Sequence, residues 1–255
     1  MKRGWAIAAA GTAALTLGGC VQTRQYADTQ FAVPAGDYKL LVMRPDVSVG
    51  SITTGGLTEA RADWTESARA KLLAALRAQQ GGRGGNLTIL ERRDSFPGIS
   101  AETIAELERL HGAVGNSIAV HKYLGENLPT KRGKGLDWTL GAQAVALGQR
   151  TGMDYALFVH AEDSFASTGR VALQVLGVAG CLVGFCAPNV GGGSQFAYAS
   201  LVDLRTGEVV WFNVLQSKIG DIRTDAGAAE MVERLVGRMK PGRDVRRAMQ
   251  TGRRP

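Results

Sequence analysis

Few residues of this 255-residue chain stand at spacings that could do chemistry. The best acid–base set is His160-Ala161-Glu162-Asp163, at the end of an apolar run. On a strand, period-two geometry puts His160 and Glu162 on one face and Asp163 on the other. An imidazole beside a carboxylate can move a proton or ligate a metal. The plainer reading is a structural histidine held by its neighbours. His111 and His121 are the only other histidines. Asp203 and Arg205 flank a turn, where they pair with each other or satisfy turn backbone groups; a ligand role is the alternative. No GxSxG elbow, HExxH helix, GxxxxGK(S/T) phosphate loop or complete GxGxxG occurs. The expectation is a protein that is not an enzyme, with no catalytic residue, no metal and no cofactor.

The cysteines carry the other chemistry. Leu17-Gly18-Gly19-Cys20 closes a stretch with Lys2 and Arg3 at its start and an apolar run from Trp5 to Leu17. That run is too short to span a bilayer comfortably and reads as a removable export signal over residues 1–19. The tetrad resembles the bacterial lipobox: leucine enters the peptidase pocket, two small residues let the backbone approach, and the Cys20 thiol takes a diacylglyceryl group. The alternatives are an ordinary signal peptide containing a cysteine, or an uncleaved anchor. With Cys20 lipidated, Cys181 and Cys186 remain as an even pair in an oxidising compartment. On one helix, residues five apart point about 140° from each other and lie roughly 8–9 Å apart, beyond the ~7 Å limit for a disulfide. A continuous helix would forbid the bridge and a turn at Val183-Gly184 would allow it; Gly180, Gly184 and Pro188 favour the turn, and two small apolar residues in a glycine-rich segment is the plainer reading.

The elements that must position these groups follow from periodicity. Residues 20–36 are polar and aperiodic, as in a flexible tether. Lys39–Met43 reads as a buried strand closed by Arg44-Pro45, and Val47–Gly56 as a loop. Leu57, Ala60, Trp64, Ala68, Leu72 and Leu76 form one helical stripe ending at Gly81-Gly82. Leu87–Leu90 is a second strand. Ser100 caps a helix with the stripe Ile104, Leu107, Leu110, Val114, Ile118; His111 falls near it, and Gly112 and Gly115 predict an interruption. Asp137 caps a helix carrying Leu140, Ala144 and Leu147 to Gly152. Tyr155–Val159 is apolar on both alternating faces, as in a central strand. Phe196–Leu204 and Glu208–Val214 form a hairpin with Gly207 at positive φ. Asp225 caps a last helix with Ala229, Val232, Leu235 and Met239 inward, stopped by Pro241.

This order predicts an α/β fold: one domain over 37–240 with a mixed sheet and helices packed on it. Removal of 1–19 takes two charges, Lys2 and Arg3, from the formal +7 and leaves +5, much of it near the C-terminus. Residues 241–255 read as a solvated basic tail; the alternative is electrostatic contact with anionic phospholipid, acidic wall polymer or a partner protein. Nucleic acid is not an expected partner, because no aromatic RNA-binding motif accompanies the charge.

The lipobox, the strand DYALFV at 154–159, and the hairpin VDLRTGEVVW at 202–211 with its following helix resemble a group of bacterial envelope lipoproteins. These are the curli-secretion lipoprotein, the penicillin-binding-protein activator lipoprotein and the N-terminal domain of the Tol translocation protein. DYALFVHAEDS with YASLVDLRTGEVVWFN is still more similar to uncharacterised proteobacterial lipoproteins. The resemblance implies a Tol N-terminal-domain-like fold and a lipid-anchored accessory or assembly factor acting by protein interaction, with an envelope protein as partner. Val21 after Cys20 points to the outer membrane, periplasmic face. The departure is Val171–Pro188, eighteen residues without charge, within an insert at about 171–190. As a helix it would be about 27 Å long, marginal for a ~30 Å hydrocarbon core. It reads as a buried or surface-packed helix or hairpin, a membrane-touching insert, or a subunit interface of a homo-oligomer. The curli-secretion lipoprotein builds a pore from insertions in this position, which makes a membrane-inserting, pore-forming oligomer the second reading. An envelope hydrolase ranks third.

Overall fold

The computed structural model describes residues 22–27, 38–81, 86–94, 96–123, 125, 128–182, 193–218, 220–237 and 239. The α/β expectation is met: an eight-stranded mixed sheet lies between two helical layers. Its strands are β1 (Gln22–Ala27), β2 (Lys39–Val42), β3 (Asp46–Ile52), β4 (Thr58–Ala60), β5 (Asn86–Ile89), β6 (Tyr155–Ala166), β7 (Ser194–Asp203) and β8 (Val209–Ser217). The helices are α1 (Ala62–Gly81), α2 (Ala101–Ile118), α3 (Gly141–Thr151), α4 (Thr168–Leu182) and α5 (Asp225–Val236). The main path runs β1-β8-β7-β6-β2-β5, and β3 also pairs with β6, carrying β4 on its outer side.

The centre is β6, longer than its apolar core suggested. Its first residues pair in parallel with β2, and from His160 to Ala166 they pair in parallel with β3. Arg44-Pro45 makes the jog between those two partners, since proline supplies no ladder donor. Val47–Gly56, expected as a loop, is therefore mostly strand. The buried Val47 and Val49 alternate with exposed Asp46 and Ser48, the period-two signal of a sheet face. Gln22–Ala27, expected within the tether, pairs antiparallel with β8.

Odd residues of β6 (Tyr155, Leu157, Val159, Ala161) face α1 and α5, whose Ala68, Leu72, Leu76, Met231, Val232 and Leu235 complete that core. Even residues face α2 and α3 with Ile104, Leu107, Ala144 and Leu147. Asn213 on β8, wholly buried, donates to the carbonyls of Arg234 and Leu235 and so satisfies acceptors at the end of α5.

Several boundaries differ from expectation. Helix α1 starts at Ala62; Leu57 sits in the β3–β4 connection and Ala60 in β4. Helix α2 is capped by Ser100 as expected, but runs unbroken through Gly112 and Gly115 and continues as a π-helical turn, Ala119–Tyr123. Asp137 caps nothing: it pairs with Lys131 and Lys134, while the start of α3 is served by Thr139 Oγ1, which accepts from Gly141 N at 2.8 Å. The cap of α5 is Thr224, whose hydroxyl accepts from Gly227 N, and Ala228 rather than Ala229 points inward. The hairpin forms as expected, with φ 79° at Gly207.

Candidate functional site

The register of three strands assembles the titratable residues. Asp46 of β3 and Tyr198 of β7 stand on either side of His160 of β6, and Glu162 is paired with Phe196. His160 Nδ1 lies 2.9 Å from Asp46 Oδ2 and Nε2 lies 3.2 Å from Glu162 Oε1. Burial disfavours its charge most, yet the hydrogen bonds and negative charges of the two carboxylates together outweigh it and raise the imidazole to about 9. In return, hydrogen bonding to His160 holds both Asp46 and Glu162 below the usual carboxylate range. At neutral pH the trio is a charged imidazolium donating from both nitrogens.

Behind it lies an aromatic stack. The Tyr198 ring stacks on His160 at 4.8 Å and on Phe212 at 5.4 Å, and its hydroxyl donates to the Gly112 carbonyl at 3.1 Å. Burial raises the Tyr198 hydroxyl above its ordinary value. Deeper still, His111 of α2 stacks on Phe158 at 4.4 Å, with Nε2 2.6 Å from Ser200 Oγ. A serine–histidine pair at that distance has the outline of a nucleophile and its base. Here Ser200 is 1% exposed and His111 3%, and burial pushes His111 down to about 3, too weak a base at neutral pH.

An open groove of about 640 Å³ runs between α2 and this part of the sheet, lined by Asn116, His160, Glu162, Phe196, Tyr198 and Gln216, among others. Asp163 points to the opposite face, as period two requires. It accepts from Gln195 Nε2 at 2.8 Å and from Ile222 N at 3.3 Å, and burial raises its carboxyl to about 6. Asp203 and Arg205 pair across the hairpin turn, where Asp203 Oδ1 accepts from Arg205 N at 2.8 Å and Arg205 also reaches the Tyr155 hydroxyl. That is the structural role expected for them.

Cys20 and Cys186 lie outside the described residues, and Cys181 is part of α4. Asp46 has no signal in the sequence, because its strand reads as a loop, and neither have Tyr198 and Ser200, whose role depends on pairing with β6. His111 falls near the α2 stripe, but its partner Ser200, 89 positions away, has no local signal. Among the described residues no group of three or more His, Cys, Asp or Glu is arranged to hold a metal ion, and no helix is long and apolar enough to cross a membrane.

No family model matches the chain, and no curated protein matches it. Among solved structures it is similar to the PelC dodecamer from Paraburkholderia phytofirmans, at 13% identity over 88% of this chain and 100% of that chain, with a TM-score of 0.37. It is also similar to lipoprotein GNA1162 from Neisseria meningitidis, at 15% identity over 78% of this chain and 91% of that one, with a TM-score of 0.28.

Proposed function

We propose that this chain is a lipid-anchored accessory or assembly factor of the cell envelope, held through Cys20 on the periplasmic face of the outer membrane, which acts by binding a protein and not by turning over a substrate. The observation that carries the binding role is the groove beside His160. Its imidazole is charged and engaged by a carboxylate on each nitrogen, so the group best placed for proton transfer is already committed to its neighbours. What the groove offers a partner is a fixed surface of aromatic, amide and charged groups, Phe196, Tyr198, Asn116 and Gln216 around the His160 trio. Such a mixture suits a protein surface with a polar rim.

A photo-crosslinking residue placed at Asn116 or Gln216 in cells tests this. A discrete adduct with an envelope protein is expected, lost when Ala113→Trp fills the groove of a folded chain. No adduct from either position, or an envelope-hydrolysing activity that disappears in His160→Ala/Glu162→Ala, would overturn the reading. The second reading, a membrane-inserting or pore-forming oligomer, is favoured by one observation, the exposed apolar surface of α4. Detergent extraction followed by sizing separates the two: a large ring supports the pore, a monomer or small complex the accessory factor.

A further inference from the structure

Helix α4 presents apolar side chains that the other described residues leave uncovered. Val171, Ala172, Leu173, Val175 and Leu176 are all exposed, four of them to 45, 40, 62 and 67% for Val171, Leu173, Val175 and Leu176. At 100° per residue these five cover an arc of about 200°. A helix on the surface of a soluble domain shows a narrower apolar stripe and turns it inward. Leu57, 75% exposed in the β3–β4 connection, lies beside the base of α4: Ser167 N donates to Ile52 O at 2.9 Å and Arg170 to Thr53 O at 3.4 Å.

Strand register says where this surface lies relative to the lipidation cysteine. Gln22 pairs with Gln216, Gln216 with Phe196, and Phe196 with Glu162. The start of β1 is thus level with the second half of β6, on the side from which β6 runs into α4. Cys20, two residues before Gln22, is within about 7 Å of it by chain reach. Three strand spacings, about 14–15 Å, separate β1 from β6. The same end carries Trp64, a residue type enriched at membrane interfaces, partly buried against the core. Trp64 meets Phe165 edge to face at 6.0 Å, and Arg61 and Arg223 each lie 4.5 Å over the Trp64 ring.

The geometry points to a second, non-covalent membrane contact: α4 and Leu57 rest in the interfacial layer of a phospholipid bilayer, on the end of the sheet from which the Cys20 lipid emerges. The 15 residues of α4 span about 22 Å, short of a ~30 Å hydrocarbon core, so the contact lies along the surface. This rests on Cys20 as the anchor for its orientation, but its test does not use the lipid.

The mature chain carrying Cys20→Ser is mixed with vesicles of phosphatidylethanolamine and phosphatidylglycerol and floated on a density gradient. The serine chain is expected to float, and Val175→Glu/Leu176→Glu to reduce the floated fraction about tenfold or more, with an unchanged near-ultraviolet dichroism spectrum. Should the double variant misfold, Val175→Trp gives an independent reading: brominated lipids are expected to quench the added indole. Equal flotation of both chains, flotation of neither, or an indole untouched by bromine overturns the proposal. A drop in solution mass in the double variant without change in flotation also overturns it and assigns the surface to a second copy. Failure of the unaltered chain to take lipid label would sink the Cys20 anchor alone, leaving the flotation result intact.

Discussion

The two titrating groups on opposite faces of β6, His160 and Asp163, make the fold pH-dependent. His160 is raised from 6.5 to about 9, so its contribution is complete below pH 6.5 and lost as pH rises through about 9. After allowance for the solvent reaching the half-exposed carboxylates, the loss is about 1–2 kcal/mol. Chemical denaturation of the wild type should show this fall between pH 6.5 and 9, and His160→Gln should flatten it. Asp163 is an acid raised from 3.8 to about 6, so stability falls as pH rises through that window and the buried carboxylate is a cost at pH 7. Asp163→Asn keeps an acceptor for Gln195 and Ile222 N without the charge. It should gain about 1–2 kcal/mol at pH 7 and nothing at pH 4. A gain from Asp163→Asn that is the same at pH 4 and at pH 7 would show that Asp163 is not raised. The contrast between the two residues was half legible in the sequence. Period two separated His160 and Glu162 from Asp163, but the carboxylate that completes the clamp, Asp46, comes from a strand 114 residues away.

Among elements, α2 shows how sequence and packing divide the decision. Gly112 and Gly115 are poor helix formers and predicted a break, yet α2 is continuous because its buried stripe and Ser100 cap outweigh the loss of about 1 kcal/mol per glycine. The two glycines are not equivalent. A methyl group at Gly112 would meet nothing within 4 Å, whereas at Gly115 it would stand 2.2 Å from the Tyr198 ring. Gly112→Ala should therefore stabilise by about 0.5–1 kcal/mol, and Gly115→Ala should destabilise by about 1–3 kcal/mol through overpacking. Thermal midpoints of the two variants decide it, and equal midpoints would refute the close approach of α2 to the sheet. Elements with strong periodicity, α1, α2, β6 and the β7–β8 hairpin, were legible from their spacing. Those that failed depended on partners: β3 is a strand because β6 offers an edge, and Asp137 lost its cap role to Thr139 because two lysines claim its carboxylate.

At the scale of the whole molecule, the segment 22–27 changes how the body is held. A flexible tether would leave the domain free of the anchor proposed at Cys20; β1, paired with β8 over all six residues, ties the chain to the sheet from Gln22 onward. No local signal announces this strand, because Gln22–Ala27 is polar and aperiodic and is ordered by a partner strand nearly two hundred positions away. Without β1, the strand VVWFNVLQS becomes the sheet edge, and it is long, apolar and free of charge. Such an edge is a template for pairing with another chain. A protein beginning at residue 38 should therefore lose on the order of 2–4 kcal/mol relative to one beginning at residue 21, about 5–15 °C in melting temperature. It should also self-associate in a concentration-dependent way, measured by light scattering, because a second β8 can replace the missing strand. The tether reading predicts the same melting temperature and the same monomeric mass for both chains. If the two chains melt together and scatter alike, β1 does not close this sheet, and the proposed anchor is not held close to the domain.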